Sequence, residues 1–292
     1  MKGGAQSASE QQQEPQKQEQ KQEGSQQPER RRYRGNCHCG AFVYEVDLPE
    51  IKTAMECNCS ICHKKGYLWV FPDDQATLDI VKGTDDTLAR YTFGPKKLTH
   101  RIRALQGINT WQLEKQPYDG AALGQKYVPP THNGPLPAAI DDCKLYTGSC
   151  HCGAVTLALM SKPLDETFGG TTAECNCSVC VRNGYRWAYP DTKCVVLFAS
   201  DPTHIGRYSF ARHVLNKTFC TVCGVCLTNE YNHITEDERK ALGALPARGF
   251  ADKMKTQHPV NLRVFPAVDL TKLKAPKLNN GAKIISPQYK SP

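Results

Sequence analysis

The stretch Gly148-Ser149-Cys150-His151-Cys152-Gly153-Ala154 and the two cysteine clusters that follow it decide the fold of this chain. Residues two apart on an extended strand point to the same face, so a C-x-C pair can present both sulfurs to one ion. A C-x-x-C pair does the same from a tight turn. Together these pairs supply four thiolates, the number that a closed structural zinc site requires: Cys150, Cys152, Cys220 and Cys223.

The cluster between these two pairs has only three cysteines, Cys175, Cys177 and Cys180. Three protein thiolates leave the fourth tetrahedral position of a zinc ion for water or a substrate, as in catalytic zinc sites. We therefore predict two zinc ions in this part of the chain. The four-cysteine ion would be structural, and the three-cysteine cluster would be the catalytic one.

The same pattern occurs earlier in the chain, which indicates a tandem duplication. Residues 35–41 match residues 148–154, and residues 56–62 match residues 174–180. The offset between matching residues then rises from 117 at Phe93 and Phe210 to 160 at Arg103 and Arg263, so the first repeat lacks about 43 residues, including the C-x-x-C pair. We predict that the first repeat binds metal through a three-cysteine cluster of Cys57, Cys59 and Cys62. Cys37 and Cys39 would form half of a four-cysteine site, and Cys143 is a less favoured extra ligand.

The composition excludes several classes of protein. Fifteen cysteines, mostly clustered, with no apolar signal segment at the N-terminus, favour reduced, metal-bound thiols over disulfides. No apolar run approaches the roughly 18 residues of a membrane span, so we expect no membrane partner. The expected location is the cytoplasm, with the nucleus as the alternative. A net charge of +8 permits a nucleic-acid partner without requiring one.

The order of segments follows from the repeats and the composition. Residues 1–34 contain ten glutamines and almost no apolar residue, which predicts a disordered tail. The basic run at residues 30–34 is either a nuclear-import or nucleic-acid patch or, more commonly for such runs, a solvated surface. We predict a first domain at 35–115, a proline-rich linker at 116–146, a second domain at 147–275 and a C-terminal tail at 276–292.

Within the repeats the local signal is β. Strands are predicted at Phe42–Val46, Tyr67–Phe71, Val155–Leu159, Tyr185–Tyr189, Val195–Phe198 and Leu262–Phe265, where β-branched and aromatic residues lie between Gly, Pro, Asn and Asp. Only Glu236–Leu245 has a convincing helical composition. The sequence therefore predicts a mainly β scaffold that holds zinc knuckles.

Several other residues near the cysteines have structural or functional interpretations. His38 and His151 lie between cysteine ligands, so alternation should point them away from the metal. Trp69 and Trp187 recur at one repeat position, where core packing is favoured over lining a pocket.

Polar residues beside the three-cysteine clusters have similar alternatives. Asn58 and Asn176 are expected to stabilise the knuckle turns. Arg182 and Arg186 could hold the carboxylates of a substrate, although a solvated arginine is the commoner outcome.

On the residues G-x-C-H-C-G-A, C-N-C-S-x-C and F-C-x-x-C-G, the chain resembles the glutathione-dependent formaldehyde-activating enzyme (GFA) family, which also contains centromere protein V. The resemblance covers residues 33–115 and 146–275. It implies a mainly β fold of two tandem Mss4-like (β-tent) zinc-binding domains, the first truncated. It also implies Zn²⁺ as the cofactor, with two ions in the second domain and at most one or two in the first.

The resemblance implies a carbon–sulfur lyase that acts on glutathione–aldehyde adducts, with glutathione as the small-molecule thiol partner. Zinc could hold the glutathione sulfur as a thiolate or polarise the aldehyde oxygen. The excess negative charge of three thiolates favours delivery of the thiol. The alternative function is a non-catalytic, zinc-scaffolded module that binds chromatin or another partner.

Overall fold

The computed structural model describes residues 29–92, 100–242, 247–285 and 287–292. Residues 1–28 of the predicted tail lie outside these ranges. The elements of the first repeat are β1 Arg30–Asn36, β2 Val43–Pro49, β3 Thr53–Cys57, α1 Ser60–Lys65, β4 Trp69–Val70, β5 Leu78–Lys82, β6 His100–Arg101 and β7 Glu114–Tyr118. Those of the second are β8 Lys144–Ser149, β9 Thr156–Ser161, β10 Thr172–Cys175, α2 Ser178–Asn183, β11 Trp187–Ala188, β12 Val195–Phe198, β13 Ile205–Ser209, β14 Leu215–Cys220, β15 Cys226–Tyr231, α3 Glu236–Ala241, α4 Ala247–Met254, β16 Val260–Asn261, β17 Lys277–Asn279 and α5 Gly281–Ile284.

The two repeats contain equivalent sheets, so the prediction of a mainly β fold is confirmed. In the first repeat the strand orders are β1-β2-β5 and β6-β4-β3-β7. In the second they are β8-β9-β12 and β16-β11-β10-β17, and the latter sheet continues through β15, β14 and β13 to seven strands. The additional strands β14 and β15, with α3 and α4, belong to the segment that the first repeat lacks. This segment carries the C-x-x-C pair between β14 and β15.

Strands also occur in stretches that the sequence placed outside the repeats. β1 begins at Arg30, so the last five residues of the predicted tail are strand. β7 runs parallel to β3 with Tyr118 opposite Cys57, and β17 runs parallel to β10 with Asn279 opposite Cys175. β7 starts in the last two residues of the predicted first domain and runs into the predicted linker, and β17 lies in the predicted C-terminal tail, so equivalent strands lie beside the two three-cysteine clusters.

Several of the local predictions differ from the structure in their details. The predicted strands Tyr67–Phe71 and Tyr185–Tyr189 are present only as the two-residue strands β4 and β11. The predicted strand Leu262–Phe265 is wrong, because a single turn of 3-10 helix covers Leu262–Val264. The side chain of Asn261 accepts a hydrogen bond from the backbone N–H of Arg263 and starts this turn. The predicted helix at residues 236–245 is present as α3, which a Thr235 capping box begins, while residues 243–246 lie outside the described ranges.

The helices α1 and α2 are six residues each and were not predicted, since fewer than two turns carry no periodic signal. Each ends at a glycine in the left-handed region, Gly66 with φ 58° and Gly184 with φ 57°. A Cβ on Gly66 would lie 2.6 Å from the Gly184 carbonyl oxygen, so the two helix ends touch. Arg103 donates through Nε to the Gly66 carbonyl, and Arg263 donates likewise to the Gly184 carbonyl at 2.7 Å. The repeats are thus related by an approximate twofold axis at this contact.

The largest hydrophobic core is shared by both repeats. Ile61 and Cys62 of α1 belong to the same buried cluster as Leu157 of β9 and Phe265 of the second repeat. The two repeats therefore stabilise each other through one core. No helix in the described ranges has the length and apolar character that crossing a membrane requires.

Candidate metal centres

The four predicted structural ligands converge. The sulfurs of Cys150, Cys152, Cys220 and Cys223 lie within 4.8 Å of one another, and the Cys152 sulfur is 3.6 Å from those of Cys150 and Cys220. Zinc bonded to thiolates at about 2.3 Å separates the sulfurs of a tetrahedron by about 3.8 Å. Val155 donates its N–H to the Cys150 sulfur at 3.3 Å. This donor set fits a closed zinc site.

The three-cysteine cluster of the second repeat is built by a strand, a turn and a helix. Cys175 ends β10, Cys177 is the N-cap residue of α2, and Cys180 lies inside α2. Their sulfurs lie within 4.8 Å of one another, which fits three ligands of one ion. Cys177 also lines a cavity of about 700 Å³. A fourth ligand could therefore reach the cluster from this cavity.

Lys217 is a functional candidate that sequence reasoning missed. Its side chain is buried in β14, with the ammonium 3.9 Å from the Cys180 sulfur and 4.7 Å from the ring centre of Trp187. Hydrogen bonds from Cys175 and Cys177, aided by the Lys217 charge and the Trp187 indole N–H, hold the pKa of the Cys180 thiol well below its usual range. The positive charge opposes the excess negative charge of three thiolates.

The cluster of the first repeat has the same three sulfurs, from Cys57, Cys59 and Cys62, within 4.8 Å of one another. Trp69 donates its indole N–H to the Cys62 sulfur at 3.3 Å. The hydrogen bond with Cys59, together with burial, raises the pKa of the Cys62 thiol. Since the first repeat lacks the segment that contains Lys217, the two clusters have matching sulfurs but different electrostatic surroundings.

The remaining predicted ligands do not complete a four-cysteine site. The sulfurs of Cys37 and Cys39 are 3.4 Å apart, but no third His, Cys, Asp or Glu joins them within the part of the chain that the structure describes. Cys143 packs against the shared hydrophobic core and belongs to no metal-ligand cluster of the described residues.

The histidines of the two C-H-C motifs point away from their neighbouring sulfurs, as predicted, and each reaches into the other repeat. His38 bonds through Nε2 to the Ser178 hydroxyl at 2.8 Å and through Nδ1 to the Tyr208 hydroxyl at 2.7 Å. His151 makes the equivalent bonds to Ser60 at 2.9 Å and to a tyrosine hydroxyl of the first repeat at 2.7 Å. Burial, aided by a nearby arginine, lowers the pKa of His38 to about 4, which keeps the ring neutral at pH 7.

Two tyrosines cover these histidines, and sequence reasoning missed both. Tyr127, from the predicted linker, stacks on His151 with ring centres 4.7 Å apart, and Tyr289, from the predicted tail, stacks on His38 at 4.4 Å. Each tyrosine donates its hydroxyl to the carbonyl of its histidine. The segment after each repeat therefore covers the C-H-C turn of the other. Residues 127–130 and residues 289–292 both begin with a tyrosine and end with a proline, so an alignment of the two segments would have identified Tyr127 and Tyr289 as equivalent residues.

Glycines in the same two segments lie against the three-cysteine clusters. A Cβ on Gly281 would be 2.5 Å from the Cys175 sulfur, and a Cβ on Gly120 would meet the Cys57 sulfur. The amide of Asn176 donates to the Asn280 side chain at 3.0 Å and accepts the backbone N–H of Ala282 at 2.9 Å. Asn58 makes equivalent bonds in the first repeat. The two asparagines thus tie their knuckles to the following segments, and Asn176 also lines the cavity.

The two arginines near the second cluster differ in their availability. Arg186 is buried, with bonds to the Thr172 hydroxyl at 3.0 Å and to the Lys274 carbonyl at 2.7 Å, so it is neither solvated nor free for a substrate. Arg182 donates to the Asn36 side chain at 2.8 Å and to the carbonyls of Asn36 and Ser178 at 3.2 and 2.7 Å, but unlike Arg186 it lines the cavity. Trp187 is 2% exposed, which confirms the prediction of core packing for this residue.

The cavity lies between the repeats. Its walls include His38 and Cys39 of the first repeat, Cys177, Arg182 and Tyr208 of the second, and Tyr289 of the C-terminal segment. It therefore joins the three-cysteine cluster of one repeat to the C-H-C turn of the other.

The basic run at residues 30–34 forms ion pairs with neighbouring strands. Arg32 pairs with Asp47 at 2.7 Å and also with Asp79, while Arg34 pairs with Glu45 at 2.5 Å. Arg30 and Arg31 pair with other carboxylates. These contacts neutralise the run within the protein and disfavour the nucleic-acid interpretation.

Comparison with models of known protein families gave no match. Among solved structures, the chain is similar to the crystal structure of a Rhodobacter sphaeroides protein determined by the Northeast Structural Genomics effort. The sequences are 20% identical, and the match covers 46% of this chain and 99% of that chain with a TM-score of 0.33.

Proposed function

We propose that this chain is a zinc protein of the GFA type, whose second repeat acts as a carbon–sulfur lyase on adducts of a thiol such as glutathione with an aldehyde. The observation that carries the proposal is that Cys177, one residue of the Cys175, Cys177 and Cys180 cluster, lines the cavity. The four-cysteine cluster has a full set of protein ligands and leaves no position for a substrate. The three-cysteine cluster has one ligand fewer and an adjoining space.

The chemistry that zinc supplies when bound is to hold a substrate sulfur as a thiolate, the nucleophile that adds to an aldehyde carbon. Lys217 counters the negative charge that gathers when a fourth sulfur joins three. Arg182 lies on the cavity wall and can bind a carboxylate of the thiol substrate. The chain thus provides an anion contact at a distance from the reacting sulfur, which orients the substrate.

The hydrogen-bonded series Ser178, His38 and Tyr208 also borders the cavity. A neutral imidazole between two hydroxyls can pass a proton from one side to the other by exchanging which nitrogen carries it. Ser178 directly follows Cys177, so this series begins beside the cluster, where it can take up the thiol proton. Because His38 comes from the first repeat, the first repeat completes the site of the second.

Turnover of formaldehyde with glutathione by the zinc-loaded chain tests the proposal. We expect Cys177→Ser to abolish turnover above the uncatalysed rate while zinc stays at the four-cysteine cluster. The matched variant Cys59→Ser changes the equivalent residue of the first repeat and should retain most of the turnover. Equal rates for the parent chain and Cys177→Ser would refute the proposal.

A further inference from the structure

The C-H-C turn of the first repeat keeps the geometry of a metal knuckle without its two partner cysteines. The Phe42 N–H donates to the Cys37 sulfur at 3.2 Å, as Val155 does for Cys150 at 3.3 Å. The Cys37 and Cys39 sulfurs are 3.4 Å apart, against 3.6 Å for the equivalent pair. The two sulfurs are therefore held ready to share one ligand atom.

The surrounding residues fix this turn in place. Gly40 donates its N–H to the Cys37 carbonyl at 3.0 Å and has a φ of 72°, a conformation that favours glycine. His38, between the two cysteines, is held by two hydrogen bonds to the second repeat and by the ring of Tyr289. A ligand that binds both sulfurs would thus find a rigid pair and pay little ordering entropy.

The pair is also accessible. Cys39 is exposed and borders the cavity between the repeats, and Cys37 is half-buried. Arg182 lies on the same wall of the cavity. In the second repeat the same face is closed by Cys220 and Cys223.

We propose that Cys37 and Cys39 form an open dithiol site for a soft, thiophilic centre that brings its own third ligand, of the class of trivalent arsenicals. With bonds as long as those between zinc and a thiolate, about 2.3 Å, a centre joined to two sulfurs 3.4 Å apart encloses an angle of about 95°. This angle suits a pyramidal, three-coordinate centre, whereas a linear two-coordinate ion would force the sulfurs apart. The reaction with an organic arsenoxide breaks two S–H bonds, forms two S–As bonds and releases the oxygen as one water molecule. The dithiol borders the same cavity as the proposed lyase site but does not use its three-cysteine cluster, so binding of an arsenical can be measured without turnover.

Titration of the zinc-loaded full chain with phenylarsine oxide tests the proposal, with intact mass spectrometry and a zinc indicator read together under a phosphine reductant. We expect the first equivalent to add with loss of one water and without release of zinc. Cys37→Ser and Cys39→Ser should each weaken this first equivalent by about 100-fold or more, because a chelated dithiol becomes a single thiol. Cys143→Ser, which changes a cysteine outside the clusters, should bind as the parent chain does.

Two results would overturn the proposal. One is release of zinc with the first equivalent in the parent chain, since the arsenical would then have entered a zinc cluster. The other is unchanged affinity in Cys37→Ser and Cys39→Ser. Because Cys39 is exposed, its replacement by serine should leave folding intact, and circular dichroism of the variant checks this.

Discussion

Replacing Lys217 by methionine tests whether its charge stabilises the metal-loaded form of the second three-cysteine cluster. Loading zinc replaces the thiol protons of the cluster and leaves three thiolates with one divalent ion, a net charge of −1. The ammonium, 3.9 Å from the Cys180 sulfur, favours that anionic state. A buried hydrogen bond to a charged group contributes about 1.5–3 kcal/mol, so Lys217→Met should weaken zinc binding by about 2 kcal/mol, or about 30-fold.

The assay is competition between the protein and a zinc chelator at pH 7, in a Cys62→Ser background that removes the cluster of the first repeat. Cobalt substitution reports loading of the two remaining clusters through their thiolate charge-transfer bands, and the four-cysteine cluster is common to every variant. The control is Lys144→Met, because Lys144 is an exposed residue at the start of β8. Equal affinity in Lys217→Met and the parent background would refute the electrostatic argument.

Three further predictions follow from burial, contact and charge. Cys220→Ser removes a buried ligand of the closed site, so it should cost several kcal/mol of stability and lower the melting temperature sharply. The control Cys39→Ser changes an exposed residue and should shift the melting temperature by a few degrees at most. Gly281→Ala should weaken zinc binding at the second cluster, since its Cβ would lie 2.5 Å from a cluster sulfur; Gly169→Ala, with nothing within 4 Å, is the control. Burial, with a nearby arginine, lowers the pKa of His63 to about 4. Below pH 6.5 the unfolded chain therefore binds a proton that the folded chain does not, so the free energy of unfolding should fall between pH 6.5 and 4. Urea unfolding of His63→Phe should show a smaller fall over the same pH range.

The sequence predicted the ligand clusters because cysteine spacing is a local property. C-x-C and C-x-x-C pairs place sulfurs together whatever the rest of the fold does, and the sulfurs of Cys150 and Cys220 meet across the second repeat as the pattern implied. The mainly β character followed from β-branched runs between turn residues. The error at Leu262–Phe265 arose because apolar composition does not reveal a side-chain cap such as that of Asn261.

The parts of the site that the sequence did not predict depend on contacts between distant segments. Lys217 occupies a strand where an exposed lysine would look the same in sequence. Tyr127 and Tyr289 lie in stretches whose prolines and polar residues indicated a linker and a tail. The composition of these stretches describes their local backbone but not the opposite repeat on which they pack.

The exchange of covering segments makes this chain resemble a domain-swapped dimer joined end to end. In a homodimer of single repeats, each histidine would find its serine and tyrosine only at protein concentrations above the dissociation constant. Here the covalent connection holds the second half at an effective concentration that does not change on dilution. The composite cavity that contains Cys177 and His38 should therefore persist at the lowest protein concentrations at which the chain is present.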